Sequence, residues 1–192
     1  ELCPPGTGAA LLFRLDGSKG AVLADLERLR AALEPARPLV LETAATPGAE
    51  ERLWEIRRTV SQALHRLSPD KSGEDVAVPL AQVPAAVAAF RAAAESRGLR
   101  VACFGHLGDG NIHVNLLYDA QDPDELVRAK AAKEGILRAA LDLGGTLSGE
   151  HGVGLSKLPF LDRQLSPEER DLLRRLKAVF DPAGIMNPQK AY

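Results

Sequence analysis

The chain has 192 residues, about one domain's worth and enough to bury a sizeable core without disulfides. Hydrophobic residues make up 45% and charged residues 26%, and the formal net charge is -2, so a nucleic-acid-binding or membrane-surface protein is disfavoured. Cys3 and Cys103 stand far apart without a CxxC partner, which excludes a disulfide framework and a zinc knuckle and suits a reducing cytoplasm.

No apolar run approaches the roughly 18 residues of a membrane span. The chain opens Glu1-Leu2-Cys3-Pro4, with neither an initiator Met nor a signal sequence, which allows it to be a piece of something longer. Residues 9–15 read as a strand. A helix follows Asp16-Gly17-Ser18, with Val22, Leu26, Leu29 and Leu33 on one face, and Pro35 and Pro38 stop it. Residues 39–43 read as a second strand. Thr46-Pro47 then starts a helix with Leu53, Ile56, Val60, Leu64 and Leu67 as its buried stripe.

The polar stretch 68–74, with Pro69 and Gly73, reads as an exposed loop and 75–80 as a strand. A helix carrying Val83, Val87, Phe90 and Ala94 on one face closes at Arg97-Gly98. Residues 99–104 and 112–118 form a hairpin across the glycine-rich segment 105–111, and Cys103 reads as a buried strand thiol. Asp122-Pro123-Asp124-Glu125 starts a long helix to about Leu143, and the capping box Ser166-Pro167-Glu168-Glu169 starts the last, which ends before Asp181-Pro182. This order predicts an α+β fold, a mainly antiparallel ferredoxin-like sheet with helices packed on one face.

Polar residues concentrate in two glycine-rich places. In the hairpin, period-two alternation puts Ile112, Val114 and Leu116 on one face and His113 and Asn115 on the other. His106 closes the first strand, so the turn can bring two imidazoles to one rim, within range of a shared ion; lone strand histidines are also common as structural residues. The second place, 144–154, holds five glycines with Glu150 and His151 among them. It matches neither a dinucleotide fingerprint nor a P-loop, and reads either as a ligand-approaching loop or as a flexible helix end. Joined to the hairpin, Glu150 completes two imidazoles and a carboxylate, a set that suits Zn, Mn or Fe with positions left for substrate. On the helix from Pro47, at 100° per residue from Leu53, Arg57 falls at about 40° and Arg58 at about 140°, so Arg57 borders the apolar stripe. With Ser61 one turn on, it is placed either to bind a carboxylate or to serve as a solvated flank. Lys71, in the polar stretch, reads by default as a surface lysine.

Five ordered blocks carry a resemblance over nearly the whole chain: Leu53-Trp54 with Arg57, Glu74 to Pro79, Gly105-His106 through Asn115, Ser148 to Gly154, and Asp181 to Pro188. Through them the chain resembles the C-terminal domain of FAD-linked D-2-hydroxy-acid dehydrogenases and oxidases of the vanillyl-alcohol-oxidase type. The resemblance implies that residues 1–192 are a cap and substrate domain, with the FAD-binding domain of the same protein absent from this chain. It further implies that His106, His113 and Glu150 hold Zn or Mn with Asn115 beside them, and that Arg57, Ser61 and Lys71 face the substrate. Ser61 stands where many members have Thr. His151 is implied as the base, and Gly149, Glu150, His151 and Asn187 as the residues nearest FAD.

The expected activity is oxidation of a small D-2-hydroxy acid, of the glycolate or D-lactate type, with hydride transfer to FAD. A metal-free site, with both histidines bonding the substrate directly, stays open on spacing. So do two other functions, a free-standing metal-dependent hydrolase and a non-catalytic carboxylate-binding module. An electron-accepting subunit and a homodimer are the further partners considered. The expected compartment is the cytoplasm, with any inner-membrane attachment made through a partner.

Overall fold

The computed structural model describes residues 3–190. Its backbone divides into two compact units, one running to Val60 and one starting at Ser61. In the first, α1 (Lys19–Leu33) opens where the Ser18 hydroxyl accepts the Ala21 N–H, and α2 (Pro47–Ala63) starts at the proline expected to open it. Neither strand expected here forms. Leu11, Leu12, Phe13, Leu39, Val40 and Leu41 are exposed, and both runs lie outside the sheet. An apolar run becomes a strand only where a neighbour takes up its N–H and C=O groups, and the sheet's three strands all come from the second unit. The stripe assigned to the helix from Pro47 is also overstated, because Ile56 and Leu67 are exposed and of its five residues only Leu64 is buried.

The second unit carries β1 (Asp70–Ala77), α3 (Val83–Glu95), β2 (Arg100–His106), β3 (Asn111–Tyr118), α4 (Pro123–Asp142), α5 (Leu161–Gln164) and α6 (Pro167–Phe180). The strands pair antiparallel in the order β1-β3-β2. That is the order of the first three strands of a ferredoxin-like unit, and a single bridge, Ala77 to Thr146, stands on β1 where a fourth strand would lie. The α+β architecture is therefore the one expected. The main correction is to β1: it begins at Asp70, so the stretch read as a loop is half of a strand. Polar side chains on both faces of β1 hid its alternation.

The register sorts the faces. Val76 opposes Ile112, Glu74 opposes Val114 and Ser72 opposes Leu116, while Cys103 and Val101 continue this face on β2. Here α3 and α4 close the core with Phe90, Ala94, Ile136 and Leu137, all fully buried. Burying each of the large ones contributes about 1.5–3 kcal/mol. Cys103 is a strand thiol, as expected, but only partly buried; that burial pushes its thiol up to about 11, so it is protonated at neutral pH. Glu74 is the buried acid on this face, and Lys133 of α4 pairs with it at 2.7 Å.

Two helix starts are built as their sequences require. The Asp122 carboxylate accepts the Asp124 and Glu125 N–H groups, and Ser166 and Glu169 bond reciprocally in a capping box. Among the described residues no helix is long and apolar enough to cross a membrane.

Candidate functional site

The sheet face away from α3 and α4 is polar because the strands alternate. Lys71, Gly73 and Asp75 of β1 oppose Leu117, Asn115 and His113 of β3, and Phe104 of β2 opposes His113 from the other side. His106 ends β2 on the same face. Its ring lies edge-on to that of His113, centroids 5.7 Å apart, as the hairpin predicts. His151 stacks on His113, centroids 5.3 Å apart.

The loop after α4 supplies the remaining groups. Glu150 Oε1 stands 3.3 Å from His113 Nε2, 3.6 Å from His151 Nε2 and 3.9 Å from His106 Nε2. Ligands around one ion, each about 2.0–2.2 Å from it, sit about 3–3.5 Å from one another, a spacing that the approaches of His113 and His151 to Glu150 come close to and that of His106 exceeds. Among the described residues, ligand atoms of Asp75, His113, Glu150 and His151 all lie within 4.8 Å of one another, a group that takes in His113 and Glu150 of the expected set and leaves out His106. Burial pushes the His113 imidazole below the ordinary histidine range, against the opposing pull of Asp75 and Glu150. A neutral imidazole is the form that binds a metal.

Asp75 is the residue that spacing did not single out. Its carboxylate is buried, and Oδ2 accepts the Gly149, Glu150 and His151 N–H groups and the Ser148 hydroxyl, all within 2.8–3.0 Å. The segment read as either a ligand loop or a flexible helix end is thus tied to β1 at four points. Lys157 adds a fifth tie by donating from Nζ to the Asp75 carbonyl at 2.6 Å. Gly149 lies against Asn111, where a Cβ would come within 2.6 Å of the side chain. The only signal for Asp75 in the sequence was an acid at the start of an apolar strand. Nothing in the spacing linked it to residues more than seventy positions away.

Burial raises the Asp75 pKa, but the hydrogen bonds from His151, Glu150 and Ser148 outweigh it and bring the group from 3.8 down to about 2. A depressed carboxylate pKa contributes stability that is complete above the unfolded value and is lost as pH falls through the folded one. In metal-free protein, the stability advantage of wild type over Asp75→Asn should therefore shrink by about 2 kcal/mol between pH of about 4 and about 2. Denaturant unfolding at a series of pH values measures this, and a gap independent of pH would refute it.

The other expected site residues divide. Asn115 is buried between β1 and β2, its Nδ2 at 3.4 Å from the His113 carbonyl. Lys71 belongs to a strand, and its Nζ donates to the Ser61 Oγ at 2.6 Å and the Ser61 carbonyl at 2.9 Å, so these two come together. Arg57 lies on α2 in the first unit, half-buried where Arg58 is exposed and paired with Glu51. Asn187 lies in the turn after α6 with φ of 49°, and its hydrogen bonds are made with Lys190. That turn is held by Asp181, which accepts from Lys177, Ile185 and Met186.

Comparison with known proteins gives this geometry a context. The chain is 37% identical over 189 residues to glycolate oxidase subunit GlcD of Bacillus subtilis, covering 98% of this chain and 40% of that protein. It is 34% identical over 187 residues to the Escherichia coli K12 protein of the same name, covering 97% and 38%. To D-2-hydroxyglutarate dehydrogenase of Stutzerimonas stutzeri it is 35% identical over 146 residues, covering 74% and 31%. The chain thus spans about two-fifths or less of the length of these relatives. A family model described as FAD linked oxidases, C-terminal domain, matches residues 2–191, and the chain belongs to that family.

Proposed function

We propose that this chain is the substrate-facing domain of a flavoprotein that oxidises a small D-2-hydroxy acid, of the glycolate or D-lactate type, to the 2-oxo acid. The observation that carries the proposal is the convergence of His106, His113, His151 and Glu150 on one polar sheet face. The relatives' greater length supports placing the FAD-binding region in a further part of the same protein. Their names support the substrate class, and the family match favours oxidation over the hydrolase and binding-module readings.

His106, His113 and Glu150 are the residues that would hold a divalent ion, Zn or Mn, because this N2O set suits first-row metals. When bound, the ion supplies a Lewis acid for the substrate oxygens and FAD supplies the hydride acceptor. His151, the most exposed side chain of the cluster, takes the hydroxyl proton. Lys71 and Asn115, on the same face, offer donors to the substrate carboxylate. Ser61 holds Lys71 in place through its hydroxyl. The 149–151 N–H groups are turned inward to Asp75, so what this loop offers FAD is the exposed outer side of Gly149, Glu150 and His151. Asn187, on the ordered turn behind Asp181, is the remaining contact proposed for the cofactor.

The test is anaerobic mixing of the complete, flavin-loaded protein with glycolate, D-lactate and D-2-hydroxyglutarate. At least one should bleach the flavin absorbance. A loaded flavin bleached by no D-2-hydroxy acid would overturn the proposal, as would oxidation by this chain alone.

A further inference from the structure

Asp75 Oδ1 is a buried carboxylate oxygen with no hydrogen-bond partner among the described residues, while its sister Oδ2 accepts four. Buried acceptors are seldom left this way, since an unpaired polar atom costs about 1–3 kcal/mol. The group that faces Oδ1 is the Nδ1 of His113, at 3.7 Å. His113 is paired opposite Asp75 in the sheet, and its other nitrogen, Nε2, is turned to Glu150. The ring therefore has an anion behind it and the cluster in front.

We propose that Asp75 is the positioning residue of this site, holding the proton of His113 on Nδ1 and so presenting the Nε2 lone pair to the Glu150 side of the cluster. The physical reason is a choice between two tautomers. With the proton on Nδ1, an N–H dipole points at a carboxylate. With the proton on Nε2, a lone pair faces that carboxylate and the nitrogen needed as a ligand is blocked. A low-dielectric setting magnifies the difference, and both His113 and Asp75 are shielded, with side-chain exposures of 13% and 1%. The same carboxylate gathers the 148–151 loop on Oδ2, so one residue sets the orientation of His113 from behind and the position of Glu150 from below. Asp75 is not itself a ligand here, because Oδ2 is saturated by donors and Oδ1 lies behind the ring.

This rests on the reading of His113 as a ligand, but its test does not require a metal. The complete protein, labelled with 15N-histidine and stripped of metal at mildly alkaline pH, is observed by long-range 1H–15N correlation. Wild type should show His113 protonated on Nδ1. Asp75→Asn turns an amide NH2 toward Nδ1 and should move the proton to Nε2. Ser148→Ala, which removes one donor from Oδ2 and leaves Oδ1 alone, should keep the wild-type tautomer, separating this effect from loosening of the loop. Zn binding, measured by competition with a chromophoric chelator, should weaken about 10–100-fold in Asp75→Asn. An Nε2-protonated His113 in wild type overturns the proposal even if Asp75→Asn does not fold, and an unmoved proton in a folded Asp75→Asn does so too. A wild type that binds no Zn but shows the Nδ1 tautomer would sink the ligand reading and leave the assignment of Asp75 standing.

Discussion

His113→Ala should lose the bound ion while His151→Ala keeps it and loses turnover, the latter by about 10²- to 10⁴-fold in kcat. The two rings are stacked at 5.3 Å, yet their surroundings differ. His113 is shielded, backed by Asp75 and pushed toward its neutral form by burial, and its Nε2 makes the shortest approach to Glu150, 3.3 Å. Removing it deletes a ligand that the rest of the cluster cannot replace by a small movement. His151 is 63% exposed and stands on the solvent side of the cluster, where a substrate hydroxyl can reach it. Elemental analysis of the complete flavoprotein, wild type against each variant, is the first measurement and steady-state kinetics the second. Equal metal content in wild type and His113→Ala would remove His113 from the ligand set. The distances from Glu150 to His151 and to His106, 3.6 and 3.9 Å, are close enough that the two variants also assign the remaining nitrogen. If His151→Ala loses the ion, His151 is a ligand and the proton acceptor must be sought elsewhere on the face.

The hairpin was legible because both of its signals are local. Strict alternation sorted Ile112, Val114 and Leu116 from His113 and Asn115, and the glycine-rich segment between the strands placed His106 on the same rim. The helices α3, α4 and α6 were legible for similar reasons, since their caps and their apolar spacing lie within a few residues of one another. β1 failed that test. Its helix-side positions carry Asp70, Ser72 and Glu74, and its site-side positions Lys71, Gly73 and Asp75, so hydrophobicity has no period to reveal until Val76. What makes those residues a strand is nonlocal, namely the register with β3 and the ion pair of Glu74 with Lys133. The runs at 9–15 and 39–43 show the converse, because strand-like composition yields no ladder without a partner edge. The role of Asp75 was likewise invisible, being defined by donors that follow it by more than seventy positions.

Gly145→Ala should destabilise the fold by about 3 kcal/mol and weaken the functional loop in the same step. Gly145 sits between the end of α4 and the bridge that joins Thr146 to Ala77 at the end of β1. A Cβ there would stand 2.3 Å from the Ala77 carbonyl, 2.7 Å from the Ala140 carbonyl and 2.8 Å from Val78 Cγ1. The two closest atoms are backbone, so a side-chain rotation cannot relieve them. Either β1 or the end of α4 must retreat. The Ala77 carbonyl accepts the Thr146 N–H at 2.8 Å, and the Ala140 carbonyl accepts the Gly145 N–H at 2.9 Å, so relief in either direction stretches a hydrogen bond that sets where the loop begins. Leu147, two residues on, is fully buried in the core, and the next residue, Ser148, is the first of the groups bound by Asp75. A displaced start therefore moves Glu150 relative to the hairpin histidines, which are fixed independently by β2 and β3. Urea unfolding measures the stability loss, and Zn affinity of the folded variant measures the displacement. A variant as stable as wild type would mean that α4 and β1 can separate freely at this point. Lost stability with unchanged Zn affinity would mean instead that the grip of Asp75 alone sets the position of the loop.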